Sequence, residues 1–593
     1  MKQATQFFFV GIFFVLLVIG CGRRETADEE AENEEVTEHT GVFISGEGGT
    51  DYENLVMPQG EEVYENLAIL GKVWGFVKYT HYSFITGQLD WDLELLRLVS
   101  LVLDGGDVRT ILYDWFVGLG EDGYGNNQPN GEKLRQMADL SWINHDYIGP
   151  LASHLLRFDG IAVENRSRAP VFFGETGAPD FSNQRTHVTM DFGSSGYRLL
   201  GLFRLWNSVN YFFPHLDVLD VEWNEMLLNF IPKMLEGADS LSYKLTLAAL
   251  IHHLHDPGAF AFGSPFFVED RFGRYIAPIV LITVENRLVV YNEVVGSGNL
   301  QRGDVLLAVN GRDIDDITSE MKQYFSYPND DKALAYLSGR MTSAFGMGTA
   351  HALRSHEREI HIDVLRGMFG EPVRVSGMPR QVWFPIATQE SHVLLDSNIG
   401  LINPSAQGDV GYIMEEFFDT CGIIIDMRQA AHGDFVSDIL PFLIEEPLPF
   451  LYISLPSQTH PGSRFDVLIE HDLQQNPYAY IYDRPVVLLM DDKSFGIFEG
   501  GIEWSIMSLR AAPNVTVIGT NTWGAVLWGG NTLSLPGGFT MWFRCTGAYT
   551  PDGGQIHRTG LTPDIRVERT IEGIREYRDE AMEAAIAFIL GNN

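Results

Sequence analysis

Apolar residues in the first half of the chain recur every three or four positions, which is the period of amphipathic helices. Two such stretches align at a spacing of 132 residues: LAILGKVWGFVKYTH begins at Leu67 and LLGLFRLWNSVNYFF begins at Leu199. The same register later aligns Trp91 with Trp223, so we predict a repeated helical unit whose Trp and Leu stripes form core. The predicted boundaries are 61–155 for the first copy, 156–195 for a linker and 196–265 for the second copy.

From about Phe267 the pattern changes to β-strands, in YIAPIVLITVENRLVVYNEVV and then GDVLLAVNGRDI. The second segment resembles the PDZ-domain signature, and we assign residues 266–380 to a PDZ-like domain. PDZ domains add an extended peptide to a sheet edge. A plain hairpin turning at Asn310 and Gly311 is the alternative. The apolar positions that could line a peptide-binding edge, or equally the buried face of a strand, are Ile276, Ile279, Val280 and Ile282.

Further along, four short apolar strands alternate with helical stretches. They are NIGLINPSAQ, CGIIIDMRQAAHGDF, RPVVLLMDD and NVTVIGTNTWGA. Strands that are buried on both faces read as continuous apolar runs, and this order predicts an α/β core with a largely parallel sheet over 385–593. The predicted fold class is therefore multidomain α/β, with N-terminal helical repeats, a PDZ-like β-rich domain and an α/β core.

The N-terminus reads MKQATQFFFVGIFFVLLVIGC, in which the apolar run is too short to cross a bilayer. We predict an export signal over residues 1–21. Its ending, VIGC, resembles a bacterial lipobox, which implies cleavage before Cys21 and acylation of that residue. A plain signal or an uncleaved anchor is the alternative. Residues 22–60 are rich in Glu and Asp and are expected to be a disordered tether. The expected location is the bacterial cell envelope, lipid-anchored, on its periplasmic or extracellular face.

Charge and ligand-forming residues exclude several classes of function. The formal net charge of −38, without a stripe of Lys and Arg, excludes nucleic acid as a partner. LIHHLHDPGAF brings His252 close to His255, yet Pro257 ends the helix there and zinc sites need a more rigid ligand frame, so we predict no metal and no cofactor. Beyond the lipobox, Cys421 and Cys545 are expected to form one disulfide or to stay free thiols.

Several motifs between about Leu199 and Leu590 together resemble the C-terminal processing, or tail-specific, serine peptidases. IIIDMR, which contains Asp426 and Arg428, is similar to the family's DLR strand, and SFGIFEGG stands where the family has its serine turn. VIGTNTWGA, TGLTPDIRV and the final YRDEAMEAAIAFIL also resemble family segments. The resemblance implies a core of the ClpP/crotonase type and serine-type proteolysis in the cell envelope.

The catalytic positions depart from the family pattern. Counting back three residues from Glu499, the family's nucleophile falls on Gly496, and the lysine that follows the T-x-G turn falls on Ala525. In the loop that resembles the family's oxyanion loop, His432 replaces the first glycine and only Gly433 is kept. Neither glycine nor alanine can act as a nucleophile or a base.

We therefore predict a pseudopeptidase lipoprotein that binds extended polypeptides or protein C-termini without hydrolysing them. The alternative is an active serine-type endopeptidase with a displaced centre at Ser494, although a hydroxyl moved by two residues would miss the old oxyanion site by several ångströms. A structural spacer without peptide affinity is a third, weaker hypothesis.

Overall fold

The structure is a computed structural model that describes residues 60–591, except 121–132, 162–165, 175–176, 263–266, 294–298, 338–352, 380–389, 407, 429–433, 474–479, 493–500 and 525–529. Residues 1–59, which hold the predicted signal and tether, therefore lie outside the described residues. We call residues 61–262 the helical part. The helical part contains α1 (Glu61–Thr80), α2 (Tyr82–Ile85), α3 (Trp91–Leu103), α4 (Val108–Leu119), β1 (Arg135–Gln136), α5 (His145–Ile148), α6 (Leu151–Leu155), β2 (Phe172–Phe173), β3 (Pro179–Asp180), α7 (Ser195–Phe212), α8 (Trp223–Glu236), α9 (Ser240–His252) and β4 (Phe260–Phe262).

Helices α1 and α7 cross at very short range in the centre of the helical part. A Cβ atom on Gly75 would lie 1.8 Å from Asn207 Oδ1, so only glycine allows this approach. At this crossing, Asn207 Nδ2 donates a hydrogen bond to Gly71 O at 3.0 Å. The Asn207 amide nitrogen is therefore satisfied inside an apolar helix crossing, whereas its Oδ1 is buried without a hydrogen-bond partner among the described residues.

The two tryptophan stripes make matching contacts in the helical part. Trp74 Nε1 donates to Trp91 O and Trp206 Nε1 donates to Trp223 O, both at 2.8 Å. All four residues are less than 10% exposed, as expected for core. Such equivalent contacts are what a repeated unit would produce, and the division into two copies stays a prediction.

Arg204 on α7 connects three distant segments through its fully buried guanidinium group. Nη2 donates to Asp92 Oδ2 at 2.7 Å, and Nη1 donates at 2.7 Å to both Arg185 O and Ser534 O. Burial alone would raise the pKa of the Asp92 carboxyl. The charge of Arg204 and a hydrogen bond from His187 nevertheless hold that pKa below its ordinary value.

The β-rich part, residues 267–379, contains a sheet in the strand order β12-β11-β8-β7-β6. Its core consists of alternating inward residues such as Ile360, Ile362 and Val364. Within the described residues, β6 pairs only with β7 in this sheet, and its other edge is open. The elements are α10 (Phe267–Phe272), β5 (Tyr275–Ile276), β6 (Ile279–Val284), β7 (Arg287–Glu293), β8 (Val305–Val309), β9 (Arg312–Asp313), α11 (Ile314–Lys322), α12 (Asp330–Leu337), β10 (Arg354–Ser355), β11 (Glu359–Arg366), β12 (Phe369–Ser376) and β13 (Met378–Pro379).

The α/β core, residues 390–591, is built on a sheet of order β14-β15-β16-β19-β20-β24, which is parallel except at β14. The predicted parallel pairing is confirmed. Val486–Met490 is buried throughout, as expected for a continuous apolar strand of a parallel sheet. The elements are β14 (His392–Leu395), β15 (Ile399–Ile402), α13 (Val410–Glu416), β16 (Gly422–Asp426), α14 (Phe435–Ile439), β17 (Pro449–Pro456), β18 (Ser463–Glu470), β19 (Val486–Met490), α15 (Ile502–Arg510), β20 (Val515–Gly519), β21 (Gly530–Leu535), β22 (Phe539–Arg544), β23 (Gly547–Tyr549), β24 (Ile565–Arg566), α16 (Ile571–Arg575) and α17 (Glu580–Gly591).

Two further sheets join the helical part to the α/β core. Strand β1 pairs with β18, and β4 pairs with β22, so short strands from the helical part complete sheets of the core. The helical periodicity of the sequence did not indicate these strands. Cys421 is half-buried and Cys545 is buried, and the two do not form a disulfide with each other. Among the described helices, none combines the length and apolar composition needed to cross a bilayer.

Two buried histidines stack at the contact between the helical part and the core. The rings of His215 and His557 are 4.2 Å apart and nearly parallel, with an interplanar angle of 3°. Burial, and then the charge of the nearby Arg544, lower the pKa of His557 to about 3. Burial and the neighbouring His557 also lower the pKa of His215. Both rings are therefore neutral in the folded protein at neutral pH.

Replacing Arg204 with methionine is expected to destabilise the protein by about 3–5 kcal/mol, because Asp92 would remain buried without its cation. The matched control is Arg97→Met, which removes an exposed guanidinium 2.9 Å from Glu94 and should cost at most about 1 kcal/mol. Urea unfolding followed by tryptophan fluorescence measures both. Equal effects of the two variants would contradict a special role for Arg204.

Acid is expected to destabilise the protein through His215 and His557. The unfolded chain binds protons at these histidines below about pH 6.5, whereas the folded chain does not, so stability falls as pH decreases from there. Each histidine contributes about 1.4 kcal/mol per pH unit. His215→Phe keeps a stacked ring but removes one titrating group, so its unfolding free energy between pH 7.5 and 5 should fall less steeply. Parallel curves for variant and wild type would contradict this assignment.

Candidate functional site

A cleft of about 980 Å³ separates the β-rich part from the α/β core. On one side it is lined by the end of β6 and by helices α11 and α12. On the other it is lined by the residues that follow the parallel strands β16, β19 and β20. Ligands of open α/β sheets bind outside the carboxyl ends of the strands, which is where this cleft lies.

The floor of the cleft is an ordered charge network. Arg428 binds the Asp426 carboxylate with two hydrogen bonds of 2.8 and 2.7 Å, and it also donates to Asp579. Next to it, Arg569 donates to Asp491 Oδ2 at 2.7 Å. Burial disfavours the charged form of Arg428, but the adjacent carboxylates, Asp426 first, raise its pKa above the ordinary value. Arg428 therefore stays charged, and its hydrogen bonds fix the strand ends that carry the motif residues.

The turn after β20, residues 520–524, is held by a buried carboxylate. Glu503 on α15 is fully buried, and it accepts hydrogen bonds from Thr522 Oγ1 and from the backbone N–H of Gly524. Thr522 Oγ1 in turn accepts from Leu561 N at 2.8 Å. Gly524 has φ of +75°, and a Cβ there would lie 2.6 Å from Ile556 O. Glycine is therefore required at this position of the turn.

Lys332 on α12 brings an amine to the same turn. Its Nζ donates to Thr522 O and, at 3.3 Å, to Asn521 O. Burial lowers the pKa of Lys332 to about 8, although the carboxylates of Glu503 and Asp492 favour the charged form. Sequence analysis missed this residue, because DDKALAYL reads as an ordinary amphipathic helix about 190 residues before the turn.

The predicted catalytic positions lie outside the described residues. These are Gly496, Ala525, His432, Gly433 and the alternative nucleophile Ser494. The described chain meets them at Asp492 and Gly501 on either side of the serine-like turn, and at Gly524 before Ala525. Asp492, Lys332 and Asn521 all line the cleft, so the described chain reaches the cleft just before each of the two motif segments.

The predicted peptide-binding residues occupy different environments. Ile276 is buried in a separate three-stranded sheet between β10 and β13. Ile279 packs in the core of the β-rich part, and Ile282 packs with Ile574 of the α/β core. Val280 alone among the four is half-buried. Three of these side chains thus fill cores, which is the buried-strand explanation, and a peptide contact through any of them stays a prediction.

The histidines near His252 bind backbone atoms. His252 Nδ1 lies 2.8 Å from Phe325 O, and His255 Nδ1 lies 3.2 Å from Tyr327 O. Across the described part of the chain, no group of three or more His, Cys, Asp or Glu residues is arranged to hold a metal ion.

Comparison with known proteins identifies the α/β core. The model of peptidase family S41 matches residues 402–567. The crystal structure of mature CPAF is 15% identical, with a TM-score of 0.50 over 67% of this chain and 98% of that chain. Mature CPAF complexed with lactacystin gives 14% identity and a TM-score of 0.49 over 67% and 97% of the two chains.

A more distant match is the photosystem II D1 C-terminal processing protease, at 12% identity and a TM-score of 0.36 over 64% of this chain and 96% of that one. No curated protein sequence matches this chain. The family match covers the ends of β16, β19 and β20, the pair Arg428–Asp426 and the turn at Thr522. Through residues 402–567 of its α/β core, the chain is therefore similar to peptidase family S41.

Proposed function

We propose that this chain binds extended polypeptides, including protein C-terminal tails, in the cleft between its β-rich part and its α/β core, without hydrolysing them. The observation that carries the proposal is the cleft itself, which is open over about 980 Å³ where a family S41 core presents its strand ends. Ligand-binding clefts in proteins commonly have this size and position.

The open edge of β6 supports a polypeptide ligand. Thr283 and Val284, at the end of this strand, line the cleft. An extended chain can pair its main chain with such an edge, while side chains contact the walls formed by α11 and α12. Main-chain pairing is largely independent of sequence, so we expect a broad range of ligands.

The sequence supports binding without turnover. An acyl-enzyme intermediate needs a nucleophile and a group that activates it. The positions that resemble those of the family's serine and lysine are Gly496 and Ala525, which supply neither. The alternative, hydrolysis from Ser494, would require the oxyanion site to move together with the hydroxyl.

We further propose that the chain is an exported lipoprotein, anchored to a membrane of the bacterial cell envelope through Cys21. The support is the short apolar run followed by VIGC, and the acidic residues 22–60 behind it. A tether of this composition would keep the folded part at a distance from the membrane surface.

The first prediction here separates binding from catalysis. The chain without residues 1–40 should bind a fluorescent, extended ten-residue peptide and leave an unfolded casein substrate intact. A serine-directed phosphonate should not label it. Cleavage of casein that is lost in Ser494→Ala, together with labelling of Ser494, would establish the displaced centre instead. Failure to bind any peptide would favour a structural spacer.

A second prediction locates the binding site on α11. Ser319 is exposed and lines the cleft, so Ser319→Trp should obstruct it and weaken peptide binding by about tenfold, or about 1.4 kcal/mol. Asp316 is exposed on the same helix but does not line the cleft, so Asp316→Trp is the matched control and should bind like wild type. Fluorescence anisotropy measures both dissociation constants. Equal constants would place the peptide elsewhere.

The third prediction concerns the anchor. In a bacterial host, the full chain should incorporate radioactive palmitate and sediment with membranes, because acylation adds buried methylene groups. Cys21→Ser should abolish the label, whereas Cys421→Ser should retain it. Persistent labelling of the Cys21 variant would contradict lipidation at this residue.

A further inference from the structure

We propose that Lys332 is a positioning residue: from helix α12 of the β-rich part, it holds the core turn 520–524 in the shape that forms the cleft wall. The geometry of this inference comes from contacts within the described residues. Its consequence for peptide binding rests on the proposed function. It makes the peptide site depend on a residue that lies outside the segment matched by the family S41 model.

The first step of the argument is the contact between Lys332 and the turn. The ammonium group donates to two consecutive backbone carbonyls, those of Asn521 and Thr522. Carbonyls in a turn after a strand have few partners within their own segment. A cation that binds two of them fixes the direction of the chain directly before Trp523, whose side chain is fully buried.

The second step is the buried charge on the other side of the turn. Glu503 is fully buried and binds the turn through the Thr522 hydroxyl and the Gly524 amide. A buried carboxylate is destabilising unless hydrogen bonds and a nearby opposite charge compensate it. Lys332 supplies positive charge that interacts favourably with Glu503. The turn is thus held between a carboxylate and an ammonium group that come from different parts of the protein.

The third step is the anchoring of α12, which fixes where the ammonium group can reach. Asn329 caps the start of the helix by accepting from Lys332 N at 3.2 Å, and its Nδ2 donates to Arg558 O of the core at 2.7 Å. Further along, the Tyr336 ring meets the Trp523 ring edge-on, with centroids 6.2 Å apart. Helix α12 also packs against β6 and β7. One helix therefore contacts both the strands β6 and β7 and the core turn.

The charge on Lys332 makes this arrangement sensitive to pH. The charged groups around its Nζ are Glu503 on α15, Asp492 after β19, Arg566 on β24 and Asp331 on α12 itself. Burial favours the neutral amine, so the pKa of Lys332 falls to about 8. Above that pH the ammonium is lost, and the hydrogen bonds to Asn521 and Thr522 lose their charge-assisted strength.

The test compares wild type with Lys332→Met and Lys332→Arg. Lys332→Met keeps the stem and removes the donor, whereas Lys332→Arg keeps a permanent cation. Lys322→Met is the matched control, because Lys322 lines the same cleft from α11. Two quantities are measured at pH 6.5 and 9.5: hydrogen exchange of peptides covering 519–524 and 556–561, corrected for intrinsic rates, and the dissociation constant of the fluorescent ten-residue peptide.

At pH 6.5 the Lys332→Met variant should exchange about tenfold faster in both segments and bind the peptide about tenfold more weakly, as expected from loss of a charged hydrogen bond. At pH 9.5 the difference should shrink, because wild type has lost its charge as well. Lys332→Arg should behave like wild type at pH 6.5 and keep that behaviour at pH 9.5. The Lys322→Met control should match wild type in hydrogen exchange.

Equal exchange in wild type and Lys332→Met at pH 6.5, or a difference that is the same at both pH values, would overturn the inference. Should Lys332→Met fail to fold, wild type and Lys332→Arg still decide it, since only wild type should lose protection in these segments at pH 9.5. If wild type binds no peptide, the proposed function fails, and the exchange data test the role of Lys332 separately.

Discussion

The buried guanidinium group of Arg204 makes the hydrogen bonds on which the arrangement of the parts depends. A fully buried cation must be hydrogen-bonded and paired, and Arg204 meets this requirement with Asp92, Arg185 and Ser534, which lie in three separate stretches of the chain. These partners come together only when the helical part and the α/β core are both folded. The geometry of this one side chain therefore couples the two parts more specifically than apolar contact could.

Other contacts between the parts follow the same principle. Arg464 on β18 is buried and donates to Ser454 O, Cys545 O and Phe212 O, which joins the core to the end of α7. Arg544 on β22 forms a buried ion pair with Asp256 after α9. Lys332 extends the pattern to the β-rich part. Apolar packing stabilises each part and also crosses between parts, as at Ile282 and Ile574, and the long cationic side chains add specific hydrogen bonds to these contacts.

Sequence predicted what depends on local periodicity. The helices at Leu67 and Leu199 and the fully buried strand Val486–Met490 were predicted because burial imposes a repeating pattern on neighbouring residues. Residues that follow two of the motif strands, Arg428 after β16 and Asn521 after β20, line the cleft, whereas the predicted catalytic positions stay a prediction. Contacts across long separations could not be predicted. No periodic pattern in the sequence marks Lys332 or Glu503 as contacts of the turn. The pattern around Ile279 is the same whether its side chain fills a core or lines a peptide-binding edge.

Strands β1 and β4 have a consequence for how this architecture can change over time. Because each supplies the margin of a sheet that belongs to the α/β core, deletion of the helical part would expose unpaired main-chain groups on β18 and β22. Such margins recruit foreign strands and promote aggregation. Transfer of the peptidase-like module to another protein without the helical part would therefore leave the margins of two of its sheets without their strand partners.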